Sequence, residues 1–175
     1  MFVGPYEAAV ELIGPEQNVE FQGNRFFGAE SGFAYRPGKF SQPLQLTIAA
    51  NTFCNLKTGL TFDVLPQAAN PIQESKIVLE KNLFTQTAAL AKVDTLLTAE
   101  QQKAGLTLQS LAAQLFQPSG NIRDADTKDG NLPIEATVVQ FPPLPQDPNN
   151  EKQFLRYPKS SPLTEKGSPG VPPQE

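Results

Sequence analysis

LQLTIAANTFCNLKTGLTFDVL, residues 44–65, lies between Pro43 and Pro66 and decides the reading of the fold. Leu44, Leu46 and Ile48 alternate with Gln45 and Thr47, and Leu60, Phe62 and Val64 alternate with Thr61 and Asp63. Period-two alternation of β-branched and aromatic residues is the mark of a strand with one buried face. The stretch therefore predicts two strands joined by Asn51–Gly59. From it follows an α+β, mainly β chain, built as an antiparallel sheet or a sandwich- or barrel-like body.

On either side the signals are weaker. Residues 1–20 carry Val10, Leu12, Ile13 and Val19 among four glutamates, and allow one short strand or a helical turn. Residues 75–84, SKIVLEKNLF, predict a third strand, with a break at Glu80–Asn82. The period then changes. A short helical segment is expected over about 86–116, where Leu90, Val93, Leu96 and Leu97 are spaced three to four apart. Thr98 with Gln101 fits a capping box, in which each side chain takes the other's backbone amide. Thr107 caps a further helix whose Leu108, Leu111, Ala112, Leu115 and Phe116 form an apolar stripe. Asp129-Gly130 marks a tight turn. Ile134–Phe141 reads as the closing strand of the sheet.

Composition changes near Phe141: ten of the 17 prolines fall at or after Pro133. The chain divides into a β-rich structural body, 1–141, and an extended Pro-rich arm, 142–175. Such an arm lacks the apolar surface to offset its ordering entropy, and its prolines favour an extended backbone. Phe154, Leu155 and Tyr157 are its apolar island and read as an anchor, held most readily by a neighbouring subunit.

The 175 residues fit one domain, or one with an appendage. Charged residues make up 18%, below the usual quarter, and the net charge of −4 gives no attraction to phosphate backbones. There is no histidine, which removes the commonest general base and metal ligand. The lone Cys54 permits no intrachain disulfide and no thiolate zinc cluster; it reads as a buried small hydrophobe. The start, MFVGPYEAAVELIGPEQ, has no basic segment or sustained apolar run, so no signal peptide is expected. No stretch approaches the roughly 18 apolar residues of a spanning helix.

Chemical motifs fail on inspection. Gly32 and Gly38-Lys39 come near a phosphate loop, but the spacing is one residue too long, Phe40 replaces the hydroxyl residue and Pro43 blocks a following helix. Asp124, Asp126, Asp129 and Glu135 hint at a calcium loop, but Asp129 stands where the sharp turn needs glycine and Lys128 where a ligand belongs. A solvated turn is the plainer reading. No catalytic, cofactor or metal residue is assigned.

One stretch has the character of a recognition surface. FQGNRFFGAESGFAYRPGKF, residues 21–40, sets Phe21, Phe26, Phe27, Phe33, Tyr35 and Phe40 among Arg25, Arg36 and Lys39. These rings fill the core, meet a partner protein, or stack on single-stranded bases. The interface candidates are Phe21, Phe26, Phe27, Phe33, Tyr35, Arg36 and Phe40, with Phe154, Leu155 and Tyr157 in the arm. Low charge, glycine-linked aromatics and a Pro-rich arm together point to a structural, non-enzymatic subunit of a large assembly. The expected partners are protein subunits, including further copies of the chain, with neither nucleic acid nor membrane. The expected setting is manufacture in the cytoplasm and incorporation into a virion or similar particle, as a bacteriophage capsid cement or decoration protein or a head–tail connector component. The alternative is a small single-stranded nucleic-acid-binding protein using residues 21–40.

Overall fold

The computed structural model describes residues 1–13, 18–36, 43–63, 74–94, 97–158, 160–165 and 169–170. Its strands follow one another in threes. β1 (Phe2–Val3), β2 (Ala8–Ile13) and β3 (Asn18–Gln22) form a first rung, and β4 (Arg25–Phe27), β5 (Ser31–Arg36) and β6 (Gln45–Ala49) a second. β7 (Thr52–Cys54), β8 (Thr58–Phe62) and β9 (Lys76–Glu80) form the third, and β10 (Leu83–Thr85), β11 (Ala89–Val93) and β12 (Phe116–Ser119) the fourth. β13 (Ile122–Arg123) and β14 (Thr137–Val138) end the series. Sheet A runs β1-β4-β7-β10-β13-β14, sheet B β2-β5-β8-β11 and sheet C β3-β6-β9-β12. All pairing between described strands is parallel. A chain that returns to the same sheet once per circuit is a parallel solenoid with three faces.

The antiparallel sheet, sandwich or barrel expected from residues 44–65 is therefore overturned. β6 and β8, the two strands seen in that stretch, lie in different sheets, and Asn51–Gly59 holds β7 and two corners rather than a hairpin loop. Alternation reports that one face of a strand is buried. It does not say whether the hydrogen-bonding partner is the next segment or the segment one circuit later. The helical expectation over 86–116 is also corrected. Residues Ala89–Val93 are strand β11, and the helices are α1 (Ala99–Lys103) and α2 (Leu108–Leu115). Residues 75–84 split at Lys81-Asn82 into β9 and β10, and 134–141 contribute only the two-residue β14.

Side chains pointing inward stack rung upon rung. Phe2, Phe26, Phe53 and Phe84 are in register, with ring centroids 5.3, 4.7 and 4.8 Å apart and planes within 13° of parallel. That spacing is the strand repeat of a sheet, so one aromatic per rung fills the interior without a gap. The second and third rungs are sealed: Phe26, Phe33, Ile48, Phe53, Leu60 and Phe62 are all fully buried.

Two corners are constant. Between sheets A and B the chain turns at Gly28, Asn55 and Gln86, all with φ between 49° and 76°. Between C and A it turns at Gly23, Ala50, Lys81 and Gly120, with φ between 51° and 67°. The left-handed conformation costs a residue with a side chain about 1–2 kcal/mol. It persists at Ala50 and Lys81 because the next residue is locked. Asn24, Asn51, Asn82 and Asn121 follow the four turns and form a ladder. Asn51 Oδ1 accepts from Asn24 N at 2.8 Å, Asn82 Oδ1 from Asn51 N at 3.1 Å, and Asn121 Oδ1 from Asn82 N at 3.0 Å. The side-chain amides of Asn51, Asn82 and Asn121 thus satisfy backbone groups that turn inward at the corner and would otherwise be buried unpaired.

The third corner, from B to C, is variable. Its connections are 14–17, 37–44, 63–75 and 94–115, longer at each rung. The fourth holds α1 and α2. Thr98 and Gln101 form the expected capping box of α1, and Thr107 caps α2 with Ser110 as its reciprocal partner. α2 buries Leu111, Ala112 and Leu115 against the core, where Leu132 and Ile134 also close the end of the solenoid.

Candidate interaction surfaces

The outer face of sheet A carries Val3, Phe27, Cys54, Leu83 and Ile122. The Pro-rich segment covers it: Leu144, Phe154, Leu155, Tyr157 and Leu163 form a second buried cluster with these residues. Phe154 meets Phe27 edge to face at 5.5 Å. The Arg25 guanidinium sits 5.8 Å over the Phe154 ring and donates at 2.8 Å to the carbonyls of Glu151 and Phe154. Leu155 N donates to Pro145 O at 2.7 Å, and Tyr157 Oη donates to Pro169 O at 2.9 Å. The described residues of the segment thus form a strap on the chain's own body, not an arm reaching outward. Phe154, Leu155 and Tyr157, expected from the sequence to be held by a neighbouring subunit, pack on the chain's own sheet A.

Beneath the strap, burial and then the charge of Asp124 push the Cys54 thiol up to about 12, so it stays protonated and unreactive at neutral pH. Asp124 sits at the edge of the same face. Burial alone would raise its carboxyl, but hydrogen bonds outweigh this and hold it below the usual range. Thr85 Oγ1 and Gln86 N donate to Oδ2 at 2.8 and 2.6 Å; Thr127 N and Oγ1 donate to Oδ1 at 2.8 and 2.6 Å. Both Asp124 oxygens are thus engaged by protein donors, four in all, and Asp129 pairs with Arg123 at 3.3 Å. No cluster of three metal-ligating side chains occurs among the described residues.

The outer face of sheet B is polar and self-neutralised. Arg36 meets Glu7 at 3.1 Å and Glu11 at 2.9 Å, Lys57 pairs with Glu30, and Lys92 with Asp94 at 3.1 Å. Ser31 and Thr61 share a buried hydroxyl–hydroxyl bond of 2.8 Å. At the closed end a groove of about 450 Å³ is lined by Phe116, Arg123, Asp129 and Glu135, but Arg123 is committed to Asp129 and to the Thr127 carbonyl.

Residues 21–40 do not make one surface. Phe26, Phe33 and Tyr35 are buried in the core, Phe21 is half-buried with its ring 4.9 Å from Phe33, and Phe27 lies under the strap. Arg36 serves the two glutamates, and Phe40 is outside the described residues. None of the described rings in this stretch is exposed enough to stack on a base.

The end of the solenoid formed by the first rung was not anticipated. Among the described residues, β1, β2 and β3 each pair on one side only. Phe2, Val10, Leu12, Val19 and Phe21 face inward in register with Phe26, Phe33, Tyr35, Leu46 and Ile48. The second-rung residues are 0–1% exposed, but their first-rung counterparts are only half-buried. Ile13 at the end of β2 is 69% exposed. The other end has Leu132 and Ile134 over it; this one has no corresponding layer among the described residues. The sequence did carry a signal here, in the alternation of Val10 with Leu12 and of Val19 with Phe21. Its openness follows only from the rung order.

No family model matches the chain, and neither a curated protein nor a solved structure is detectably similar to it.

Proposed function

We propose that the chain is a structural subunit of a large symmetric particle and not an enzyme. The solenoid is a stiff body that docks through its open first rung, where apolar side chains and three unpaired strand edges coincide. That coincidence carries the reading: half-buried Phe2, Val10, Leu12, Val19 and Phe21 under unsatisfied edges form a surface whose free energy falls when covered. The particle we favour is a bacteriophage virion, with the chain as a capsid cement or decoration protein or a head–tail connector component. The low charge and the self-neutralised sheet B support a protein partner over a nucleic acid. The strap stiffens the body rather than tethering a neighbour.

The test is sedimentation of native source material with mass spectrometry of each fraction. Recovery of the chain in a megadalton particle at fixed stoichiometry to the major component supports the reading. Recovery only as a small free species overturns it.

A further inference from the structure

The assembly reading leaves open what covers the first rung, and the inference here rests on that reading. The occupant has to match three strand edges arranged as a triangle: β1, β2 and β3. A single added strand satisfies one edge and leaves the apolar centre exposed. A flat protein surface satisfies none. A second solenoid end of the same cross-section satisfies all three at once.

The chain's own closed end does not serve. Leu132 and Ile134 lie over the core there, and the last strand, β14, is two residues long. Head-to-tail stacking, which would build an open filament, is therefore blocked at the described residues. Head-to-head contact is not. When two solenoids meet by the same end, their sense of circulation is opposed, so facing strands run antiparallel, and antiparallel edges hydrogen-bond readily. A two-fold axis through the middle of sheet B sets β2 against β2 of the other copy, and β1 of each against β3 of the other. This is an isologous contact that closes at two copies.

Charge and sequence agree. β1, β2 and β3 read FV, AAVELI and NVEFQ and contain neither lysine nor proline, the residues that commonly protect an edge from pairing. Near the axis, Glu7 and Glu11 are neutralised by Arg36 of their own chain. Glu20 lies on β3, so under the two-fold it faces sheet A of the other copy rather than its own equivalent. We propose that the open end docks head to head on the open end of a second copy, by antiparallel edge pairing.

Sedimentation velocity of the full chain from low to high micromolar concentration, with amide hydrogen exchange at both extremes, tests this. The expected result is a reversible species of twice the monomer mass, with residues 8–13 gaining protection as concentration rises. Ile13→Lys places a charge at an exposed edge position and should weaken the dimer by at least about tenfold without changing the thermal melt. A monomer throughout overturns the inference, as does a dimer whose added protection lies on sheet A or the strap. The wild-type exchange pattern decides even if Ile13→Lys disturbs folding. A chain that is monomeric alone but found in a native particle refutes this inference and leaves the assembly reading standing with another partner. A dimer absent from any particle does the reverse.

Discussion

Asn82→Ala is the substitution from which the solenoid predicts most. The Asn82 side chain is buried and makes four bonds. Its Oδ1 accepts from Asn51 N and Asn51 Nδ2, both at 3.1 Å; its Nδ2 donates to Ile48 O at 2.7 Å and Asn121 Oδ1 at 3.0 Å. Truncation leaves the Asn51 N–H with no partner inside the corner, whereas the Ile48 carbonyl keeps its place in the β6–β9 ladder. Asn51 Nδ2 still has Phe21 O at 2.9 Å, and Asn121 Oδ1 still has the Asn82 backbone N–H. One orphaned buried N–H at about 1–3 kcal/mol, with the lost bond to the Ile48 carbonyl at about 0.5–1.5 kcal/mol, gives a loss of about 1.5–4.5 kcal/mol. Asn24 occupies the same position in the first ladder step, but its side chain makes only an exposed 3.2 Å bond to Gln22 O. Its replacement by alanine should cost less than about 1 kcal/mol, because the ladder bond there is accepted from the Asn24 backbone. Urea unfolding of the two variants, with slopes compared to ensure a common denatured state, measures both numbers. The reasoning is refuted if Asn82→Ala lies within about 1 kcal/mol of wild type, or if Asn24→Ala costs as much as Asn82→Ala.

Three further outcomes follow from the same packing. Gly130 has φ 91°, and a Cβ there would lie 1.9 Å from Ala91 O, whereas Gly23 at φ 67° has open space. In thermal melts Gly130→Ala should therefore destabilise well beyond the conformational cost of about 1–2 kcal/mol expected for Gly23→Ala. Deleting residues 142–175 uncovers Phe27, Cys54 and Leu83, so the truncated body should lose stability and its thiol should react with a disulfide reagent at pH 8. In the intact chain the thiol should react only at the rate of unfolding; equal rates in both proteins would contradict the strap. Because the Asp124 carboxyl is depressed in the fold, its contribution is complete above its unfolded value of about 3.9 and is lost as pH falls below that. Asp124→Asn should flatten the acid limb of a stability–pH profile, and an unchanged limb would show that the hydrogen bonds to Asp124 do not persist in solution.

Local features of the fold were legible and the circuit was not. Both helix caps could be read because Thr98–Gln101 and Thr107–Ser110 interact within one turn. The break in 75–84 could be read because Lys81-Asn82 interrupts the alternation. The repeat is also in the sequence: Asn24-Arg25-Phe26-Phe27-Gly28, Asn51-Thr52-Phe53-Cys54-Asn55 and Asn82-Leu83-Phe84-Thr85-Gln86 align, and Asn121 begins a fourth unit. Its period lengthens with the B–C corner. The register steps in sheet C are Val19 to Leu46, Leu46 to Ile77 and Ile77 to Phe116, so no fixed period brings the units together. Without the circuit, Phe26, Phe33 and Tyr35 are indistinguishable from surface anchors, because Phe26 and Tyr35 each sit beside a cation and Phe33 beside a glycine. Phe154, Leu155 and Tyr157 were legible as an anchor, but their targets Phe27, Cys54 and Leu83 are remote in sequence. The open end was illegible for a related reason. Val10 and Leu12 look like any buried strand until the rung above them is known to be the second and not the middle of a sheet.

The solenoid register is the premise of the whole account, and one distance tests it. Glu20, Thr47, Val78 and Gln117 form a single row across sheet C, one per rung. Nitroxide labels at Glu20→Cys and Gln117→Cys, in a Cys54→Ala background, are separated by three strand spacings, or about 14 Å between backbones. Strong dipolar broadening at that range is the predicted result. A label separation more than about twice as large would place β3 and β12 in different sheets and contradict the parallel solenoid.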